Sequence, residues 1–198
     1  MSVRTAPAPP VEPGRYHWTV DTFYRAMNAG IFDEPNRLEL VNGELWEREA
    51  MNPPHAATAR RIARLLRRMF EPTFLVMEEK PFHIAEDGEP RPDVCVVAGS
   101  DEDFEDRHPT AAEVRLIVEV THTTVERDTV EKTALYAQAG IEDYWVVLIN
   151  REELLVYRRP RPDGYPEPQR FRAGDTVAPL FAPDVTIAVA DLLPRSTQ

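Results

Sequence analysis

The chain has 198 residues, with 23 Lys plus Arg against 34 Asp plus Glu, for a formal charge of −11. That length suits one domain with a real core. The charge excludes a protein that coats nucleic acid through bulk electrostatics, although a local basic groove on an acidic body stays possible.

In chain order, Pro7, Pro9, Pro10 and Pro13 mark an opening arm, so residues 1–15 are expected to be disordered and 16–198 to form a single domain. Thr19 caps a short helix carrying Phe23, Tyr24 and Met27. Arg37 to Val41 and Glu44 to Trp46 flank Asn42-Gly43, the pair that closes a two-residue hairpin because both positions need φ > 0. Pro53-Pro54 is read as the end of an extended piece. A helix then runs from about His55 to Phe70, with Ile62, Leu65, Leu66 and Met69 on its apolar stripe.

Phe74 to Glu78 and Phe82 to Ile84 read as short strands. Asp93 to Val97 and Arg115 to Val120 are nearly continuous apolar runs, as strands covered on both faces should be. A second helix spans about Val125 to Ala139 and stops at Gly140, with Tyr144 to Ile149 and Glu153 to Tyr157 as the following strands. A strand, helix and strand between Arg115 and Ile149 form a crossover unit, so its two strands should be parallel. The expected class is α/β: a mixed sheet flanked by helices, with an N-terminal hairpin and a C-terminal β extension. The longest apolar run, Tyr144 to Ile149, is far below a membrane span. No charged-then-apolar leader opens the chain, and Cys95 is the single cysteine. A cytoplasmic protein without a membrane partner is expected.

Two carboxylates fall where a buried strand should hold no charge: Asp93 opening one strand and Glu119 near the end of the next. Such groups are costly unless paired or bound to a metal. Asp128, Lys132 and Tyr136 follow at four-residue spacing on one face of the second helix. Carboxylates at strand ends beside a helical lysine suit a metal-dependent phosphodiesterase, since hard oxygens hold Mg²⁺ and the ion stabilises phosphate charge. The plainer readings also stand: a strand-opening aspartate, a buried ion pair and an ordinary exposed helix pair. Arg60, Arg64 and Arg68 form an i, i+4 line that follows a phosphate backbone in one reading and is a solvated face in the other.

Pro92-Asp93, Val118-Glu119-Val120, Asp128-x-x-x-Lys132-x-x-x-Tyr136 and Ala139-Gly140-Ile141-Glu142-Asp143-Tyr144-Trp145 resemble the Uma family of restriction-endonuclease-like proteins, in the PD-(D/E)xK nuclease superfamily. The hairpin from Leu38 to Leu45 and His55 match as well, and the resemblance covers roughly Thr19 to Tyr157. It implies a restriction-endonuclease-like fold, with Asp93, Glu119 and the Val120 carbonyl holding Mg²⁺ or Mn²⁺. Lys132, Glu39 and His55 become catalytic candidates, and Arg60, Arg64, Asp128 and Tyr136 substrate contacts. The superfamily usually places a lysine two residues after the glutamate; Thr121 stands there, and Lys132 on the following helix takes that role. The turn Thr121-His122-Thr123-Thr124 departs from the family's Ser-Pro-Ser-Thr-like turn. The expected activity is endonucleolytic cleavage, with DNA as partner and a homodimer as assembly. A silent dimeric interaction module and a hydrolase of a small phosphorylated substrate are the alternatives.

Overall fold

The computed structural model describes residues 14–48, 52–121 and 127–194. Most of the Pro-rich arm and the turn at residues 122–124 lie outside the described residues. Helix α1 (Val20–Asn28) starts at Thr19, whose side chain accepts from the Thr22 N–H while Thr22 answers at the Thr19 N–H. Strands β1 (Leu38–Val41) and β2 (Glu44–Glu47) form the expected hairpin, with Asn42 at φ 48° and Gly43 at φ 77°.

Helix α2 (Pro53–Phe70) begins earlier than its periodicity suggests. Asn52 caps it by accepting from the His55 N–H, and Pro53 and Pro54 fill the first turn, where a missing N–H costs nothing. The prolines therefore open the helix rather than close an extended piece. Ile62 and Leu66 are buried as expected, while Met69 is exposed at the helix end.

A six-stranded sheet has the order β3-β4-β5-β6-β7-β8. Its strands are β3 (Phe74–Glu78), β4 (Val94–Ala98), β5 (Val114–Thr121), β6 (Asp143–Leu148), β7 (Glu153–Arg158) and β8 (Gln169–Phe171). All neighbours are antiparallel except β5 and β6, which pair in parallel through the crossover helix α3 (Arg127–Gln138). Phe82 to Ile84 forms one isolated bridge among the described residues, His83 to Thr110, and not the expected strand. Helix α3 ends in a Schellman turn: the Ile141 N–H donates to Tyr136 and the Gly140 N–H to Ala137, with Gly140 at φ 75°. The C-terminal extension is the short pair β9 (Thr176–Val177) and β10 (Ile187–Ala188) followed by α4 (Val189–Leu192).

The sheet is covered on both faces, which explains the near-continuous apolar strands. Ala59, Ile62, Leu66 and Phe70 of α2 pack with Val94, Val96, Leu116, Val118 and Trp145 on one face, joined by Val189 and Leu192. Val41 of the hairpin and Leu135 and Tyr136 of α3 pack with Cys95, Ile117, Tyr144 and Val146 on the other. Alternation along β5 sends Val118 and Val120 toward α2 and leaves Glu119, between them, facing α3 and the hairpin.

Candidate active site

The pairing of Val94 with Val118 brings Asp93 and Glu119 together, one step beyond at the open end of the two strands. Both are buried, at 4% and 8% exposure. The Val120 N–H donates to Asp93 Oδ2 at 2.8 Å, and the Asp93 N–H reaches Glu119 Oε2 at 3.4 Å. Val120 is thus tied to the site through its N–H.

Lys132 and Tyr136, one turn apart on α3, both point at Glu119. Lys132 Nζ lies 3.5 Å from Glu119 Oε1, and the Tyr136 hydroxyl donates to the same oxygen at 2.9 Å. The hairpin brings Glu39, whose Oε1 lies 3.4 Å from Lys132 Nζ and whose Oε2 accepts the Arg91 N–H at 3.0 Å. His55, at the start of α2, closes the other side, with Nε2 3.1 Å from Asp93 Oδ2. That contact brings charge proximity, and among the described residues the buried Nε2 has no hydrogen-bond partner.

These neighbours divide the two strand acids. Burial works against charge on Asp93, but the adjoining His55, the Val120 N–H and Lys132 outweigh it and hold the carboxyl below the usual range. Burial also dominates at Glu119; the charges of Asp93 and Glu39 add to it, and Lys132 only partly offsets them, so its carboxyl rises to about 7. Burial opposes charge on His55 too, yet Asp93 and Glu119 prevail and raise its imidazole above the ordinary value. Burial and the neighbouring Glu119 push the Tyr136 phenol far up, so it stays a donor.

Of the expected site residues, Asp93, Glu119, Val120, Lys132, Tyr136, Glu39 and His55 converge. Arg60 and Arg64 do not: both are exposed on the side of α2 away from the sheet. The Asp128 side chain lies outside the described residues. Arg48 is a member that sequence reading missed, its guanidinium lying 3.6 Å from Asp93 Oδ1 and 3.5 Å from Glu79 Oε2. No local pattern announces it, because its partners come from other elements. Arg91 contributes through its backbone, and its place beside Pro92-Asp93 is the only hint the sequence holds.

The donor set is oxygen: two adjacent carboxylates at strand ends, one of them short of compensating charge. Such a set suits a hard divalent cation. Among the described residues, no group of three or more His, Cys, Asp or Glu side chains is placed to hold a metal ion. An ion held by Asp93 and Glu119 would keep open positions, as Mg²⁺ does with water and phosphate.

A mixed sheet with one acid from each of two adjacent strand ends, and a lysine from the crossover helix, belongs to the restriction-endonuclease-like class of folds. The match to a solved structure agrees. The chain is similar to a protein from Anabaena variabilis ATCC 29413, described as "a putative nuclease belonging to DUF820", with a TM-score of 0.69 and 18% identity over 88% of this chain and 97% of that one. The model of the Uma2 family, described as "Putative restriction endonuclease", matches residues 20–190, and the chain belongs to that family. No curated protein matches it. Among the described residues, no helix is long and apolar enough to cross a membrane.

Proposed function

We propose that the protein is a divalent-metal-dependent endonuclease, with DNA as its substrate. The observation that supports this best is the convergence of Asp93, Glu119 and Lys132, with Lys132 Nζ held between Glu119 and Glu39. Mg²⁺ or Mn²⁺ bound by the two carboxylates and the Val120 carbonyl would supply charge neutralisation on the phosphate and a water of lowered pKa.

The chain's own groups do the rest. Tyr136 fixes the Glu119 carboxylate by its 2.9 Å hydrogen bond, and the Val120 N–H fixes Asp93. Lys132 offers an N–H to the attacking water or to a phosphate oxygen as negative charge grows there. Glu39, anchored by the Arg91 N–H, is the nearby acceptor for the water's proton. Hydrolysis then proceeds by in-line attack of the water oxygen on phosphorus, with the bridging phosphorus–oxygen bond breaking on the far side.

Calorimetric titration with Mn²⁺ and Mg²⁺, followed by Mn²⁺-dependent cleavage of supercoiled DNA, tests this reading. Binding and nicking by the wild type, both abolished in Asp93→Ala with Glu119→Ala, is the expected result. Wild-type protein that binds neither ion, with or without DNA present, would overturn it in favour of a silent module. We also propose a homodimer, since Tyr16 is 64% exposed beside Trp18 on the N-terminal side; sedimentation velocity decides that point.

A further inference from the structure

Helix α2 carries five arginines in 18 residues and not one Asp or Glu, in a chain with 34 acidic residues. An ordinary solvated charged face would intersperse acids at i, i+3 or i, i+4 spacing, as Arg25 has Asp21 and Arg37 has Glu34 elsewhere in this protein. Arg67 is spent on Glu78 at 2.5 Å, and Arg61 on the carbonyls of Asp191 and Leu193. Arg60, Arg64 and Arg68 are exposed and make no ion pair or hydrogen bond among the described residues. They lie at four-residue intervals, an advance of about 6 Å each along the helix. Ala57, Arg60, Arg61 and Arg64 line a shallow open cleft on this face.

We propose that this outer face of α2 is a track for a nucleic-acid phosphate backbone. The inference rests on the nuclease reading for its choice of polyanion. Three exposed guanidiniums with no competing acid on their own helix can each exchange a counterion for a phosphate oxygen. A long arginine side chain on a helix also leans toward the N-terminus, here the end where His55 meets Asp93. The track therefore runs along the helix whose first turn carries His55, and its arginines act on binding without touching the reacting atoms. An acidic body with one basic helix confines a polyanion to a single path.

The test is fluorescence anisotropy with a labelled DNA duplex of about two helical turns, in EDTA so that no cleavage interferes. Arg60→Gln, Arg64→Gln and Arg68→Gln together are compared with a charge-matched control, Arg25→Gln, Arg151→Gln and Arg161→Gln. The track variant should bind at least tenfold more weakly, with the slope of log K against log salt shallower by about 2 to 3, while the control keeps its slope. Equal slopes in both variants would overturn the track. So would a wild type that ignores the duplex, including one that instead sediments with phosphatidylserine vesicles. Failure of Mn²⁺-dependent cleavage with the arginine-dependent slope intact would overturn the nuclease reading and leave the track standing.

Discussion

Lys132 approaches Glu119 to 3.5 Å from the helix that follows the strand, not from the strand itself. Thr121, two residues after the glutamate, ends β5 half-buried and has no ammonium to offer. A lysine on α3 reaches the same carboxylate because the parallel crossover lays α3 over the face of β5 that Glu119 occupies. Its ammonium also meets Glu39 at 3.4 Å, so one cation serves two buried acids.

Lys132→Met is expected to lower Mn²⁺-dependent cleavage by about 10²–10³-fold, the effect of removing one preorganised donor. It also leaves two buried acids facing each other, a loss of about 3–5 kcal/mol in urea unfolding at alkaline pH. At acid pH the loss shrinks, because Glu119 takes up a proton. Adding Glu39→Gln should restore part of the stability and none of the cleavage. Full activity in Lys132→Met would remove Lys132 from the chemistry.

Gly140 offers a cleaner stability test. It sits at φ 75°, and a Cβ placed there meets nothing within 4 Å among the described residues. Gly140→Ala therefore costs only the left-handed backbone strain of a residue with a side chain, about 1–2 kcal/mol. Thermal unfolding should show that drop with cleavage unchanged. An unaltered melting temperature would mean that the turn has rearranged.

The hairpin was legible because Asn42-Gly43 carries its own backbone demand, and β5 because its run is nearly all apolar, with Glu119 the exception that marks the site. The parallel β5–β6 pair followed from the helix between them. Elsewhere local signals misled. Met69 fits the apolar stripe of α2 but is exposed while its neighbour Phe70 is buried, and Pro53-Pro54 is a helix opening that looks like a stop. Phe82 to Ile84 is apolar enough for a strand, yet Phe82 is buried as a plug against Tyr136 rather than in a ladder. Arg48 was invisible because its role is purely tertiary. The strand acids, lysine, tyrosine, Glu39 and His55 could be named from spacing and family resemblance together, but only the fold shows that they meet and that Arg60 and Arg64 stand apart.

Asp143 is a buried acid of another kind. It opens β6 fully covered, accepting from Arg158 Nε, Trp145 Nε1 and the Leu180 N–H, each at 2.8 Å. Burial pushes its carboxyl up, with those three donors opposing. It ties β6 and β7 to the C-terminal extension through Arg158 and Leu180. Asp143→Ala leaves a guanidinium and two N–H donors without their acceptor, so a loss of about 3–5 kcal/mol in chemical denaturation is expected. Metal affinity of the folded fraction should equal that of wild type. A selective loss of metal binding would show that Asp143 supports the site as well as the fold.

Glu119 couples the same site to pH. Burial first, then the charges of Asp93 and Glu39, raise its carboxyl from 4.5 to about 7 in the metal-free protein. Between those values the folded chain holds a proton that the unfolded chain has released, so stability falls as pH rises through that window. A divalent cation needs the ionised form. Its binding should therefore release a proton below about pH 7, tighten as pH rises, and level off above. Calorimetry with Mn²⁺ in two buffers of different ionisation enthalpy reads the released proton directly, and urea unfolding without metal reads the stability slope. Glu119→Gln should flatten the stability slope and abolish the proton release together with the binding. Proton release that persists in Glu119→Gln would move the titration to another group, with His55, already raised by Asp93, the first to examine.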